Sequence, residues 1–203
     1  MLRAFADRLE HPVGDLIADG AHLNVYYLQD NRPVAGQNPD DLLDAVEGAF
    51  GQKAREHFFA LRNILPQLRG LEIIDNDNRG LQPTAAGGFE RLPWKRYELE
   101  NYVVNPDLLI EWARQERADF NNYSQANQSM QNTLWRAQTQ TQKLSLFAEE
   151  FFRRIAEATS TRILLRKSDL YRLIERLDPA SIDPEVAAKL DAILKLLKAN
   201  RSL

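Results

Sequence analysis

Apolar residues open the chain with a helical period. Leu2, Phe5, Ala6, Leu9, Val13, Leu16 and Ile17 fall on one face of a helix, where neighbours are three or four residues apart. Pro12 interrupts the pattern, because proline lacks an N–H and its ring clashes with the preceding turn. The spacing therefore predicts helix over residues 2–18 with a break near Pro12. Leu23 to Leu28 is rich in β-formers and predicts a strand, and residues 29–39 carry the Asp, Asn, Pro and Gly of a loop. Asp40 to Leu65 reads as one or two helices, interrupted near Gly48 and Gly51 and closed by Pro66 and Gly70. The short apolar run Leu71–Ile74 follows at once as a strand. The alternation helix, strand, helix, strand predicts a parallel sheet with right-handed crossovers.

Further on, Gly80 to Gly88 reads as a Gly/Pro/Ala loop, and Phe89 to Leu99 as a stretch with room for another strand. Asn105-Pro106 begins a helix running to about Glu116. Residues 119–142 are dense in Asn, Gln, Ser and Thr with few large apolar positions, and are read as helical from about 124. Leu144 to Ala158 is a stronger amphipathic helix through Leu146, Phe147, Phe151, Phe152 and Ile155. A further helix covers Lys167 to Leu177. The last runs from Asp183 to Ala199, with Asp183 as N-cap and Pro184 at the first helical position. The division expected is an α/β domain over 1–117 and a helical C-terminal appendage over 118–203.

Chemistry concentrates where the apolar run Leu71–Ile74 ends in Asp75, Asn76 and Asp77. Two residues apart, Asp75 and Asp77 leave an extended chain on the same side. Carboxylates that close repel unless a cation lies between them, and Mg²⁺ prefers such oxygen ligands. Ligands of α/β sheets bind outside the carboxyl ends of the strands. Asp-Asn-Asp-Asn is equally good turn chemistry. A second dense site spans residues 94–106. There Glu98 and Glu100 share a side if the chain is extended, and Arg96 is placed to neutralise them or to contact a phosphate; an edge strand followed by a helix cap accounts for the same letters.

The 203 residues are enough for a real core. A net charge of −3 does not mark a general nucleic-acid binder. The absence of cysteine excludes disulfides, thiol catalysis and zinc–cysteine sites, and fits a cytoplasmic location. No apolar run reaches membrane-spanning length. His11, His22 and His57 are scattered without a His-x-x-x-His spacing, and Ser145, Ser168 and Ser181 lack a Gly-x-Ser-x-Gly context.

The segment Ile-Ile-Asp-Asn-Asp-Asn-Arg, then Arg-Tyr-Glu-Leu-Glu-Asn-Tyr, then an Asn-Pro helix start, resembles the TOPRIM half of OLD-like (overcoming lysogenization defect) ATPase-nucleases. The stretch Leu165 to Leu173 also looks like the lysine-containing C-terminal part of such chains. The resemblance implies a TOPRIM-like, Rossmann-like fold: a small, mostly parallel sheet with flanking helices. It implies a Mg²⁺- or Mn²⁺-dependent nuclease acting on DNA or RNA, in many cases within anti-phage systems. By resemblance, Asp75 and Asp77 are cation ligands. Glu98 and Glu100 complete a second cation position or orient water, and Lys167 neutralises phosphate charge. The family places a glutamate on a strand ahead of the first helix. Val46-Glu47-Gly48 matches its letters but follows the second strand, in a helical stretch. No Gly-x-x-x-x-Gly-Lys-Ser/Thr occurs, so the chain has no ATP site of that kind. The resemblance thus implies a chain without the ATPase half and the first strand. Its partners are nucleic acid, that ATPase half on the same or a neighbouring chain, and a second copy in a homodimer. An inactive TOPRIM module for binding or dimerisation is the alternative, and a receiver-like fold is a third reading.

Overall fold

The computed structural model describes residues 1–19, 54–115, 143–146, 148, 153 and 170–200. The strand expected at Leu23–Leu28, the helix expected from Asp40 as far as Lys53, the polar segment 119–142, and Lys167 lie outside these residues.

Two short helices, α1 (Leu2–Arg8) and α2 (Val13–Asp19), flank Pro12 as the sequence predicts. Helix α3 (Ala54–Arg62) leads into strand β1 (Gly70–Ile74). Strand β3 (Phe89–Pro93) pairs with β1 in parallel, Gly70 opposite Phe89 and Ile74 opposite Pro93. The Trp94 N–H donates to the Ile74 carbonyl at 2.9 Å and carries the ladder one step further.

Residues expected as loop hold one more strand. Strand β2 (Thr84–Ala86) runs antiparallel to β3 and makes the sheet mixed, in the order β1-β3-β2. Gly87 and Gly88 form the two-residue connection, with φ of 56° and 80°. A tight hairpin turn of this kind needs positive φ at both positions, which glycine adopts without strain. The three strand residues are all exposed and carry no alternating apolar pattern, so only the Gly-Gly pair announced the turn.

Beyond β3, a 3₁₀ turn (Leu99–Tyr102) precedes helix α4 (Pro106–Gln115). The Asn105 side chain caps α4, accepting from the Asp107 N–H at 2.9 Å. The described helical residues 144–146, 148 and 153 follow, then α5 (Tyr171–Ile174) and the long α6 (Pro184–Asn200). Asp183 is the N-cap of α6, its Oδ1 accepting from the Glu185 N–H at 2.9 Å.

One core joins the two ends of the chain. Phe5, Ala6 and Val13 are buried together with Trp94, Leu109, Trp112, Leu173, Leu190 and Leu197, and Leu71 and Ile73 of β1 pack against them. Helix α6 contacts α1, α2 and β1. On the other side of β1, Gly70 sits beneath Phe58, where a Cβ would lie 2.5 Å from the ring; glycine admits that close approach. Phe58 in turn stacks on Phe89, ring centroids 5.1 Å apart. The result is a mixed α/β fold with helices on a small three-stranded sheet. Among the described residues no helix is long and apolar enough to cross a membrane.

Candidate functional site

The chain leaves the carboxyl end of β1 in a turn. Asp77 and Asn78 have φ of 48° and 57°, so the extended geometry expected for Asp75 and Asp77 does not continue past Asn76. Asn76 explains the turn. Its Nδ2 donates to the Trp94 carbonyl at 2.9 Å, and its Oδ1 accepts from the Gly80 N–H at 3.0 Å. Asn and Asp tolerate the left-handed region because their short polar side chains bond locally. Asp77 faces outward and pairs with Arg79 at 3.2 Å, and Arg79 also donates to the Asp75 carbonyl at 2.8 Å.

Asp75 points the other way, toward the segment after β3. Its Oδ1 accepts from the Leu99 N–H at 3.1 Å, which places it beside the residue between Glu98 and Glu100. The Tyr97 carbonyl accepts from both the Asn76 and Asp77 N–H groups, at 3.0 and 2.9 Å. These bonds clasp the Asp-x-Asp turn to the Glu-x-Glu segment. Burial pushes the Asp75 carboxyl up to about 6. Glu100 adds to the effect, with smaller contributions from Asp77 and Glu98, while the Leu99 N–H bond works in the opposite direction. Asp75 has no ion-pair partner among the described residues. Burial also raises the neighbouring Tyr97 phenol, followed by the charges of Asp77 and Glu98.

Glu98 and Glu100 are not on an extended, exposed edge. Glu98 is 1 % exposed and Glu100 6 %, and Glu100 belongs to the 3₁₀ turn. The Glu98 Oε1 accepts from the Ser145 N–H at 2.8 Å, and the Asn101 Oδ1 from the Leu144 N–H at 3.2 Å. Two side chains from a distant segment thus cap the helical residues that begin at 144, where free N–H groups attract a carboxylate. Ser145 itself is 1 % exposed, and its Oγ has no partner among the described residues. The half-buried Met1 amino group senses Glu100, although burial dominates and lowers its pKa.

Arg96 does not neutralise these acids. Its guanidinium pairs with Asp183 at 2.7 Å, donates to the Asn101 carbonyl at 2.7 Å and lies over the Tyr102 ring at 4.6 Å. Sequence reasoning missed Tyr102, Glu185 and Lys189, which surround the same segment. The Tyr102 hydroxyl donates to Glu185 and accepts from the Arg96 N–H at 3.2 Å. The Lys95 N–H donates to Glu185 at 3.0 Å, and Lys189 Nζ donates to the Pro93 carbonyl at 2.7 Å. Three charged residues within the first two turns of α6, Glu185, Lys189 and the cap Asp183, were the available signal. Nothing local pairs them with residues 93–102.

The structure therefore brings Asp75, Asp77, Glu98 and Glu100 into one neighbourhood. Their hard oxygen donors suit Mg²⁺ or Mn²⁺, and the Asp75 carboxyl is raised by burial and by its acidic neighbours. In the side-chain positions present, no three His, Asp or Glu converge as a metal cage among the described residues. The chain matches no family model, and no curated protein or solved structure is detectably similar to it.

Proposed function

We propose that this chain is a TOPRIM-like, Mg²⁺- or Mn²⁺-dependent nuclease domain of the OLD-like kind, cleaving phosphodiester bonds of DNA or RNA in concert with an ATPase partner. The observation that carries the reading is the hydrogen bond from the Leu99 N–H to Asp75, which sets an Asp-x-Asp turn against a buried Glu-x-Glu segment at the carboxyl end of a strand. Asp75 would hold the cation, with Glu98 and Glu100 completing the donor set or orienting water, and Asp77, which faces outward to Arg79, would join them once that ion pair opens. When bound, the cation supplies Lewis acidity toward a phosphate oxygen. The chain's own residues contribute the rest. Asp75, fixed by the Leu99 N–H, would bind the cation as the carboxylate, and Arg79, at the rim beside Asp77, is the cation that would meet an incoming phosphate.

The test is nicking of supercoiled DNA and of single-stranded RNA with added Mn²⁺. Cleavage by the wild type that Asp75→Ala abolishes supports the reading; cleavage that survives Asp75→Ala sinks it. The second reading, an inactive module for binding or dimerisation, draws on the use of Glu98 as a helix cap. It wins if neither Mn²⁺ binding nor nicking is found.

A further inference from the structure

The segment that carries Glu98 and Glu100 is gripped from behind by α6. Trp94 and Tyr102 stack with ring centroids 4.8 Å apart, and Lys189 Nζ lies 5.5 Å from the Trp94 ring centre. Glu185 is the junction of this grip. One of its oxygens accepts from the Tyr102 hydroxyl and the other from the Lys95 N–H, and Lys189 Nζ lies 3.6 Å away. Tyr102 closes the 3₁₀ turn that contains Glu100, and its hydroxyl also accepts from the Arg96 N–H. Arg96 then reaches Asn101 and the α6 cap Asp183. The Pro93 carbonyl and Lys95 N–H before the Glu-x-Glu pair and the Tyr102 hydroxyl after it are thereby fixed to the first two turns of one helix, 83 to 96 residues further along the chain.

We infer that Glu185, acting through Tyr102, is a positioning residue for the carboxylate site, so that cation binding at Asp75 depends on the docking of α6. The inference rests on the functional reading above. Neither residue touches Asp75; both act by setting where Leu99 and Glu100 lie. Groups that orient a metal's ligands from behind typically change affinity by about 10–100-fold when removed.

The experiment is Mn²⁺ titration of the full chain, followed by electron paramagnetic resonance. The wild type is compared with Glu185→Gln, Tyr102→Phe and the double variant, and melting temperatures are recorded alongside. Expected are an affinity loss of about tenfold in each single variant, no further loss in the double variant, and an altered spectrum of bound Mn²⁺. Glu185→Gln keeps the side-chain shape, so a folded variant is available even if Tyr102→Phe melts early. Unchanged affinity and spectrum in a folded Glu185→Gln, beside a wild type that binds, overturns the positioning role and leaves the site standing. A wild type that binds no Mn²⁺ overturns the site and this inference with it. Affinity losses that simply add in the double variant also overturn it, since they place Glu185 and Tyr102 in independent roles.

Discussion

The Asp-x-Asp turn and the Glu-x-Glu segment carry nearly the same letters, yet they are held in opposite ways. Residues 75–80 are organised mainly by their own side chains. Asn76 bonds Gly80, Arg79 bonds Asp75 and Asp77, and three residues take left-handed backbone angles. Residues 94–102 are organised by partners far along the chain, at 144, 145, 183, 185 and 189. A site of this design has one half shaped largely by local chemistry and one half whose shape depends on the C-terminal helix. Its acids differ accordingly. Asp77 sits at the surface beside a cation, whereas Glu98 is enclosed and accepts a backbone N–H at a helix start, an environment that tolerates a buried charge.

The largest expected effect tests the distant anchoring. Trp94 is 2 % exposed and stands between Tyr102 and Lys189. Truncating a buried aromatic costs about 3–5 kcal/mol, so Trp94→Ala should lose that much in urea denaturation. It should also release the backbone N–H groups of Asn76 and Asp77, which bond the next turn of the same segment. Amide exchange reads this directly. If exchange at 76–77 stays slow in the variant, the turn does not depend on the buried segment, and the two halves of the site are held independently.

A middle-sized effect tests the meeting point of the two halves. The Asp75 carboxyl is raised from 3.8 to about 6, chiefly by burial. A raised folded-state pKa favours folding while the group is protonated, and that contribution is lost as pH rises through 6. The difference is worth about 2–3 kcal/mol before solvent screening and about 2 kcal/mol after it. Asp75→Asn keeps an oxygen for the Leu99 N–H and has no such pH dependence. It should match the wild type near pH 4 and exceed it by about 2 kcal/mol at pH 8. Urea titrations at the two pH values check this; a variant that is weaker at pH 8 would show that the carboxylate is stabilised by its surroundings.

Much of the local half was legible in the sequence. The apolar run ending at Asp75 predicted β1, Pro12 predicted the break between the first two helices, and Asn105-Pro106 and Asp183-Pro184 predicted two helix starts. In each, one or two residues restrict the backbone within a few positions. The hairpin at residues 84–89 was not legible as strand, because three exposed residues have no face to alternate. The burial of Glu98 and Glu100 was also hidden. It depends on a helix start 47 residues later and on Glu185, 83 residues from Tyr102, and periodicity carries no information about which distant side chains meet. Arg96 was read by proximity in sequence to the acids it precedes, while its nearest acid in space is Asp183. The role expected of Lys167 lies outside the described residues.

The smallest expected effect separates stability from function at the exposed rim. Arg79 and Asp77 form an ion pair whose side chains are 40 % and 44 % exposed. Water and salt screen such pairs, so Arg79→Ala should change stability by less than about 1 kcal/mol. Arg79 nevertheless occupies the carboxylate that the functional reading assigns to a cation. Removing its charge frees Asp77 and lowers the positive potential at the rim. Mn²⁺ affinity should therefore rise a few-fold in Arg79→Ala, and the gain should shrink at high salt, where interactions between exposed charges are screened within a few ångströms. The two readouts move independently only if Asp77 is a ligand and the turn is held mainly by Asn76. A variant that loses several kcal/mol would show that Arg79, through its bond to the Asp75 carbonyl, is what holds the turn. An unchanged Mn²⁺ affinity would remove Asp77 from the donor set and leave Asp75 and the buried glutamates as the whole of it.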